Sequence, residues 1–156
     1  SAEWWQAALL VDILTDGPES VLHRALVDTG LASSVSGGVE ETPDPNLGTI
    51  TVTLAEGVNQ STIEATVRQC VAELDRATVT ARRKSVQAST YTDLLFAREG
   101  SLSTARLLTE CIAGGDWSVY EALPELVLRV TTADIMQFKA QAFRDNNLTI
   151  GHCVRS

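Results

Sequence analysis

The sequence predicts an α+β fold in which helices are layered on one mostly antiparallel β-sheet. Apolar residues recur with helical spacing over most of the chain, which predicts several amphipathic helices. By contrast, Thr49, Thr51 and Thr53 alternate with apolar neighbours, the pattern of a strand with one solvated face. A second alternating segment, Leu148–Val154, predicts a closing strand. The expected element order is α-α-β-β-α-α-α-α-α-β, a helix-backed sheet that the later elements cover or extend.

The first predicted helix, Glu3–Thr15, is apolar on nearly every side. Such a helix is buried on more than one face or has lost a partner. Trp4 and Trp5 stand at its start, and large aromatic side chains usually have neighbours. The pattern leaves open whether a covering element is missing or lies in another chain.

A second helix is expected from Pro18 to Thr29. Proline suits the first turn of a helix, where its missing N–H is not needed, and Asp16 or Gly17 can act as the cap. Gly30 then supplies the left-handed residue that commonly ends a helix.

A β-hairpin is expected to follow this helix. Its first strand is Ser33–Val39, interrupted by Gly37–Gly38, and its second strand is Gly48–Ala55. The connecting turn is Glu40–Asn46, which contains two prolines and three acidic residues.

The rest of the chain before the closing strand is predicted to be helical. The expected helices are a segment capped by Ser61 or Asn59 and ending near Arg76, Ala81–Arg98 capped by Thr80, Leu102–Ala113 with Leu108 and Ile112 facing inward, Trp117–Leu123 capped by Asp116, a segment begun or kinked by Pro124, and a last helix capped by Thr131.

The length and the net charge of the chain limit the class of protein to which it can belong. We expect residues 1–156 to form a single domain, since this length allows a substantial core. The net charge of −8 argues against binding of nucleic acid or an anionic membrane, which require a basic surface. It is compatible with a basic partner and equally with an ordinary solvated surface.

The cysteines and the hydropathy profile bear on the compartment. Cys70, Cys111 and Cys153 are widely spaced and form no C-x-x-C pair, so we expect reduced, buried thiols and an intracellular or organellar protein. The sequence contains no apolar run long enough for a membrane span and no visible signal peptide.

The residue types that usually carry catalysis or metal binding are sparse. The two histidines, His23 and His152, have no partner at ligand spacing; we expect His23 to face the surface or a partner and His152 to lie in the core. No phosphate-binding glycine motif or nucleophile elbow occurs. We expect the basic run Arg82–Lys84 either to pair with an acidic neighbour or to lie on a solvated face. We therefore predict no catalytic residue and no metal ligand in this chain.

Three stretches together resemble the pitrilysin/insulinase family of zinc metallopeptidases, which carry an inverted H-x-x-E-H zinc motif. They are Ser20–Ser33, Val130–Ile135 and Asn147–Gly151, and within the first of them Ala25–Leu31 is most similar to the presequence-protease branch. The order and spacing of the elements agree with that family over nearly the whole chain.

The resemblance implies a partial α+β half-unit of a larger, multi-unit protein whose two bowl-like halves enclose a peptide. Zinc belongs to the first unit of such proteins, and later units form the chamber wall. The implied partners are other units of the same polypeptide or a catalytic partner subunit, together with a peptide substrate. Family members often carry an arginine and a tyrosine that hold substrate; those places correspond to Leu26, or Arg24 if the alignment shifts, and to Ser33. No catalytic residue is carried over.

Two alternatives come from other functional classes. The first is a peptidase-like scaffold or interaction module without proteolytic activity. The second is a small-ligand-binding α+β domain, which would require a closed apolar pocket.

Overall fold

The computed structural model describes residues 2–40 and 47–153 and places a single apolar helix, α1 (Ala2–Thr15), at the centre of the fold. This helix packs on the hairpin and on three of the later helices. Leu9, Ile13 and Leu14 are completely buried. The prediction that α1 is buried on several faces is therefore confirmed. Trp5 is also buried, and Trp4 packs on the core in an edge-to-face pair with it, 4.6 Å between ring centroids, so no missing cover is needed to explain them.

The remaining elements follow in the predicted class and nearly the predicted order. They are a π-helical turn (His23–Val27), β1 (Ala32–Val39), β2 (Gly48–Leu54), α2 (Gln60–Glu73), α3 (Arg76–Ala97), α4 (Ser101–Ala113), α5 (Val119–Arg129), α6 (Thr132–Ala142) and a 3-10 turn (Asp145–Asn147). The α+β assignment is confirmed. None of the helices in the described ranges combines the length and apolarity needed to cross a membrane.

The second predicted helix is shorter than expected. Regular helical structure is confined to the short stretch around the π-helical turn, and Gly30 follows it with φ of 77°, the left-handed conformation expected from sequence. Leu22 and Leu26 fix this turn by complete burial.

The two strands form an antiparallel hairpin in which Val35 is paired with Val52 and Gly37 with Ile50. The predicted interruption at Gly37–Gly38 is wrong, because both glycines remain in the ladder. Gly37 is there for packing: a Cβ at this position would lie 2.6 Å from Cγ1 of Val11 on α1. Apart from Glu40, the predicted turn falls on residues 41–46, which lie outside the described residues.

Capping residues set the start of two helices, one within the predicted alternatives and one different from the prediction. Asn59, not Ser61, caps α2 by accepting a hydrogen bond from the Ser61 backbone. Asp75 caps α3 by accepting one from the Thr78 backbone at 2.8 Å, so this helix begins at Arg76 and not at Ala81. Consequently Arg82–Lys84 lies inside α3.

The end of the helical layer also departs from the prediction in two places. Pro124 lies within one continuous helix, α5, and does not begin a new segment. In α4 the buried residue is Cys111, with Leu107 packed on the core, whereas Ile112 is 64% exposed. The inward face predicted from Leu108 and Ile112 is therefore displaced by one residue. The predicted cap at Thr131 is confirmed, and the structure shows that it forms a capping box with Asp134 at the start of α6.

The predicted closing strand is wrong for the described part of Leu148–Val154. The sheet contains β1 and β2 alone within the described ranges, and residues 148–153 are exposed and outside any ladder. Leu148 nevertheless has extended backbone angles, φ −105° and ψ 128°. We call residues 148–153 the closing segment.

Candidate functional site

The first concave feature is a cleft between α2 and α6 with a volume of about 380 Å³. Its walls are mainly apolar, with Val71, Met136 and Phe143 among them, and three cationic side chains lie along them. Apolar walls with a few polar groups are typical of ligand sites. What this cleft can bind therefore depends on whether its cationic side chains are already paired within the fold.

The cations of this cleft already have partners within the fold. Lys139 Nζ donates to the backbone oxygen of Leu74 at 2.7 Å, which satisfies a carbonyl at the end of α2. Burial lowers the pKa of Lys139, and the nearby charge of Asp75 opposes that shift. Arg68 lies 3.0 Å from Glu64 and 3.1 Å from Asp145. The cleft is open to solvent and its cations hold α2 and the end of α6 in place, so it is not the closed apolar pocket that the small-ligand alternative requires.

The second concave feature lies between β2 and the closing segment, and we call it the β2 groove. Its volume is about 240 Å³, several times the space of one water molecule. The lining includes no carboxylate, lysine or arginine; its residues are Ile50, Thr51, Val52, Leu54, Gln60, Gly151, His152 and Cys153. The groove therefore lies beside the edge of β2 that is not paired with β1.

The two histidines occupy different surroundings, and within the described residues neither belongs to a group that could hold a metal ion. His23 is half-buried, and its Nδ1 lies 3.4 Å from Oδ1 of Asp28, a distance suited to an ion pair when the imidazole is protonated. His152 is exposed in the β2 groove, so its predicted core position is wrong. Across residues 2–40 and 47–153 no group of three or more His, Cys, Asp or Glu side chains could hold a metal ion. The described residues thus do not fit the zinc that the resemblance implies for the parent enzyme.

The positions that the resemblance associates with substrate binding have structural roles here. Leu26 is completely buried in the core. Arg24, the alternative under a shifted alignment, lies 3.3 Å from Glu19 and is largely exposed. Ser33 donates from its hydroxyl to the backbone oxygen of Thr53 at 3.2 Å. These contacts explain the side chains without a substrate.

The basic run at Arg82–Lys84 is divided between two structural tasks. Arg82 lies 3.5 Å from Glu19, which agrees with the interpretation that the run serves an acidic neighbour. Arg83 donates to the backbone oxygen of Val130 at 2.8 Å and to the side chain of Gln87. Arg82 and Arg83 therefore join α3 to its surroundings, while Lys84 is exposed to solvent.

None of the three cysteines is in a disulfide, and the prediction that all three are buried is wrong. Cys111 is buried and Cys70 is half-buried, whereas Cys153 is exposed in the β2 groove. Burial, with a smaller contribution from Glu73, raises the pKa of Cys70, so this thiol is less nucleophilic than an ordinary one. Cys153 is the accessible thiol among the three.

Sequence reasoning missed one perturbed carboxylate. Burial, followed by repulsion from Asp16, raises the pKa of Asp12 to about 6 from an ordinary value of 3.8. The signal was present in the sequence, because Asp12 interrupts the apolar helix Glu3–Thr15.

The sequence matches no family model and no curated protein. Among solved structures it is similar to a candidate zinc protease from Bordetella pertussis Tohama I, with 24% identity and a TM-score of 0.81 over 94% of this chain and 82% of that chain. It is also similar to the inactive peptidase domain of a candidate zinc protease from Bordetella parapertussis, with 23% identity and a TM-score of 0.85 over 99% of this chain and 85% of that chain. A protease from Helicobacter pylori has 18% identity and a TM-score of 0.79 over 94% of this chain and 36% of that chain. At these identities the likeness is one of fold: the chain has a zinc-protease-like fold.

Proposed function

We propose that this chain is a non-catalytic, chamber-forming unit of a zinc metalloendopeptidase of the pitrilysin/insulinase type, closest to the presequence-protease branch. The observation that carries the proposal is the match in fold to an inactive peptidase domain over 99% of this chain. Residues 1–156 would then be one domain of a larger multi-unit protein, and zinc would be held by another unit.

The composition of the described surface agrees with a wall and not with a reacting centre. No set of metal ligands occurs in the described ranges, and Leu26 and Ser33 have structural contacts. A wall contributes by enclosing a peptide and limiting entry to chains that are small or extended enough to pass, while another unit supplies the activated water.

The exposed face of the hairpin is the surface that we assign to the chamber. Gly37 packs against α1, so the alternate residues of β1 and β2 project from the opposite face. Hydroxyl side chains are paired across this face, Ser34 with Thr53 and Ser36 with Thr51. A neutral, hydroxyl-bearing wall offers hydrogen bonds to a peptide backbone without selecting for its charge.

Zinc titration and peptide hydrolysis by the isolated chain test this function. We expect less than stoichiometric zinc by elemental analysis after dialysis, and no cleavage of a fluorogenic quenched peptide. Addition of the H-x-x-E-H unit from the same reading frame, or from a co-purifying subunit, is expected to produce cleavage. Stoichiometric zinc together with turnover by the chain alone would overturn the assignment.

A scaffold without proteolytic activity in its assembly is the second candidate. It is favoured by the description of the Bordetella parapertussis neighbour as an inactive peptidase domain. The complete reading frame and its partner subunits separate the two functions: an H-x-x-E-H motif in either supports the peptidase, and its absence from both supports the scaffold.

A further inference from the structure

α4 carries two stripes of side chains with the same helical spacing, and one of them is turned toward the core. The inner stripe, which we call the cysteine face, consists of Thr104, Leu107 and Cys111. The same spacing one residue further along gives the isoleucine face, which consists of Ala105, Leu108 and Ile112. Successive residues of an α-helix are rotated by about 100°, so the two faces lie side by side around the helix axis.

The face turned outward is the more apolar of the two. The cysteine face includes a threonine, whereas every residue of the isoleucine face is aliphatic. Cys111 is buried, but the next residue, Ile112, is 64% exposed. Removal of apolar surface from water is the dominant favourable contribution to folding. A rotation of α4 that exchanges Cys111 for Ile112 at the core would therefore bury an aliphatic side chain that the observed arrangement leaves in water.

The contacts that fix the rotation of α4 are weak. This helix packs on α3 and α5, whereas the central helix α1 packs on the hairpin and on α3, α5 and α6. Cys111 is the one buried residue of α4. The Thr104 hydroxyl donates to the backbone oxygens of Ala97 and Arg98 at 3.4 and 3.2 Å, longer than ordinary O–H···O hydrogen bonds. The loss of these bonds opposes a rotation only weakly.

The ends and the charges of α4 also permit a rotation about its axis. Gly100 precedes the helix, and Gly114 and Gly115 follow it, with Gly115 at φ of 94°. Glycine tolerates a wide range of backbone angles, so these positions can absorb the change. Arg106 lies 2.9 Å from Glu110 within the helix, and this pair turns as a unit. Since the isoleucine face contains no charged residue, the rotation brings no charge into the core.

We propose that α4 is a two-state helix that exchanges its cysteine face for its isoleucine face by rotating about 100° against α3 and α5. The rotated state buries Ile112 and exposes Cys111. Packed interfaces pass between discrete arrangements and do not deform continuously, so the two faces give two defined states. The rotation is a conformational device, because it changes the outer surface of α4 from an aliphatic face to one that bears a hydroxyl and a thiol.

Alkylation of Cys111 measures the rotated state, because this thiol is buried in the observed state and exposed after rotation. The measurement is the rate of iodoacetamide modification at each cysteine of the full chain, resolved by mass spectrometry, at urea concentrations below the unfolding transition. We expect the rate at Cys111 to be nearly independent of urea, since a rotation exposes little new surface. A rate that rises with urea as steeply as global unfolding would overturn the proposal, because the thiol would then react only in the unfolded chain.

The variant Ile112→Ser separates a rotation from a simple outward opening of α4. Ile112 is exposed in the observed state and buried only after rotation, so serine at this position disfavours the rotated state alone. We expect alkylation of Cys111 to become slower by about tenfold or more, while the rate at the exposed Cys153 stays constant. An unchanged rate at Cys111 would refute the rotation, because an outward opening exposes this thiol without burying Ile112.

The matched control is Leu102→Ser on the same helix. Leu102 is 84% exposed and lies about 90° around the helix from the isoleucine face, so it remains outside the core in both states. Alkylation of Cys111 in this variant should stay within about twofold of the rate in the original protein. Equal slowing by both substitutions would mean that the apolarity of the surface, and not the burial of Ile112, controls access to the thiol. That result would also overturn the proposal.

Discussion

Asp12 is a carboxylate held within the most apolar helix of the fold. Its pKa is raised to about 6, chiefly by burial and secondarily by Asp16. The unfolded chain releases this proton near its ordinary pKa of 3.8, whereas the folded protein holds it to about 6. Stability is therefore lost as the pH rises between these two values, and the loss is complete above the higher one.

Replacing this group by a neutral amide is expected to stabilise the protein at neutral pH. Asp12→Asn should raise the free energy of unfolding by about 1–3 kcal/mol at pH 7, the upper figure applying without solvent screening. The gain should shrink as the pH falls from about 6 and vanish near 3.8. Urea unfolding of both proteins across this range is the measurement.

The control for this prediction is an exposed carboxylate on the same helix. Glu3 is exposed at the start of α1, so Glu3→Gln should change stability little at any pH. A gain for Asp12→Asn that is independent of pH would mean that packing, not charge, is responsible.

Single residues were predictable where the signal is local. Gly30 follows its helical turn in the left-handed conformation, and Thr131 is the expected cap of α6. His152 was not predictable, because its placement in the core assumed that the closing segment would be a strand. Whether a side chain is buried depends on the segment that packs beside it, and the local sequence pattern does not identify that segment.

Two adjacent glycines test how closely α1 approaches the hairpin. A Cβ on Gly37 would lie 2.6 Å from Cγ1 of Val11 and 2.8 Å from Oγ1 of Thr15, whereas one on Gly38 would meet nothing within 4 Å. Gly37→Ala is therefore expected to destabilise the fold by about 2–3 kcal/mol through overpacking. Thermal or denaturant unfolding measures this loss.

Gly38→Ala is the matched control, one residue along the same strand. It should be neutral or stabilising by about 0.5 kcal/mol, because it reduces the freedom of the unfolded chain without a clash. Equal losses in the two variants would contradict the packing between α1 and β1 described above.

Gln87 joins α3 to the end of α5 from a buried position. Its Nε2 donates to the backbone oxygens of Val127 at 2.7 Å and Val130 at 2.9 Å, and its Oε1 accepts from Arg83. Gln87→Met keeps the length of the side chain and removes its donors, so the Val127 carbonyl loses the bond from Gln87, whereas the Val130 carbonyl keeps the one from Arg83. The expected loss is about 1–3 kcal/mol in the free energy of unfolding.

The comparison variant is Gln69→Met on the exposed side of α2. Its amide donates to Glu73 at the surface, so its loss should change stability by less than about 0.5 kcal/mol. Similar losses at both positions would mean that the α3–α5 contact does not depend on this hydrogen bonding.

At the level of elements, the presence of each helix was more predictable than its first residue or the face that it turns toward the core. The helix after Asn59 was identified from its apolar stripe, but α3 begins at Arg76 because Asp75 caps it, ahead of the weaker signal at Thr80. In α4, consecutive apolar residues allow two inward faces, and contact with α3 and α5 selects the one that contains Cys111. Local patterns do not decide between such faces.

The molecule as a whole has its core around α1 and not around the sheet. The hairpin covers one side of this helix while α3, α5 and α6 cover others, and a two-stranded ribbon is marginal without such packing. The sequence predicted the class correctly but gave the sheet a further strand, because alternation in the closing segment shows strand propensity and says nothing of whether a neighbouring strand is present.

This architecture predicts that the closing segment contributes little to the stability of residues 1–156. All of its residues are exposed, and among the described residues none donates or accepts a backbone hydrogen bond with another element. A chain that ends at Asn147 should unfold in one cooperative transition, with a melting temperature within about 2–4 °C of the full chain, the equivalent of about 1 kcal/mol at this size. Calorimetry of both chains measures the difference. Loss of the cooperative transition would show that the closing segment is an integral part of the core. Retention of it would show that the core around α1 is complete without the closing segment.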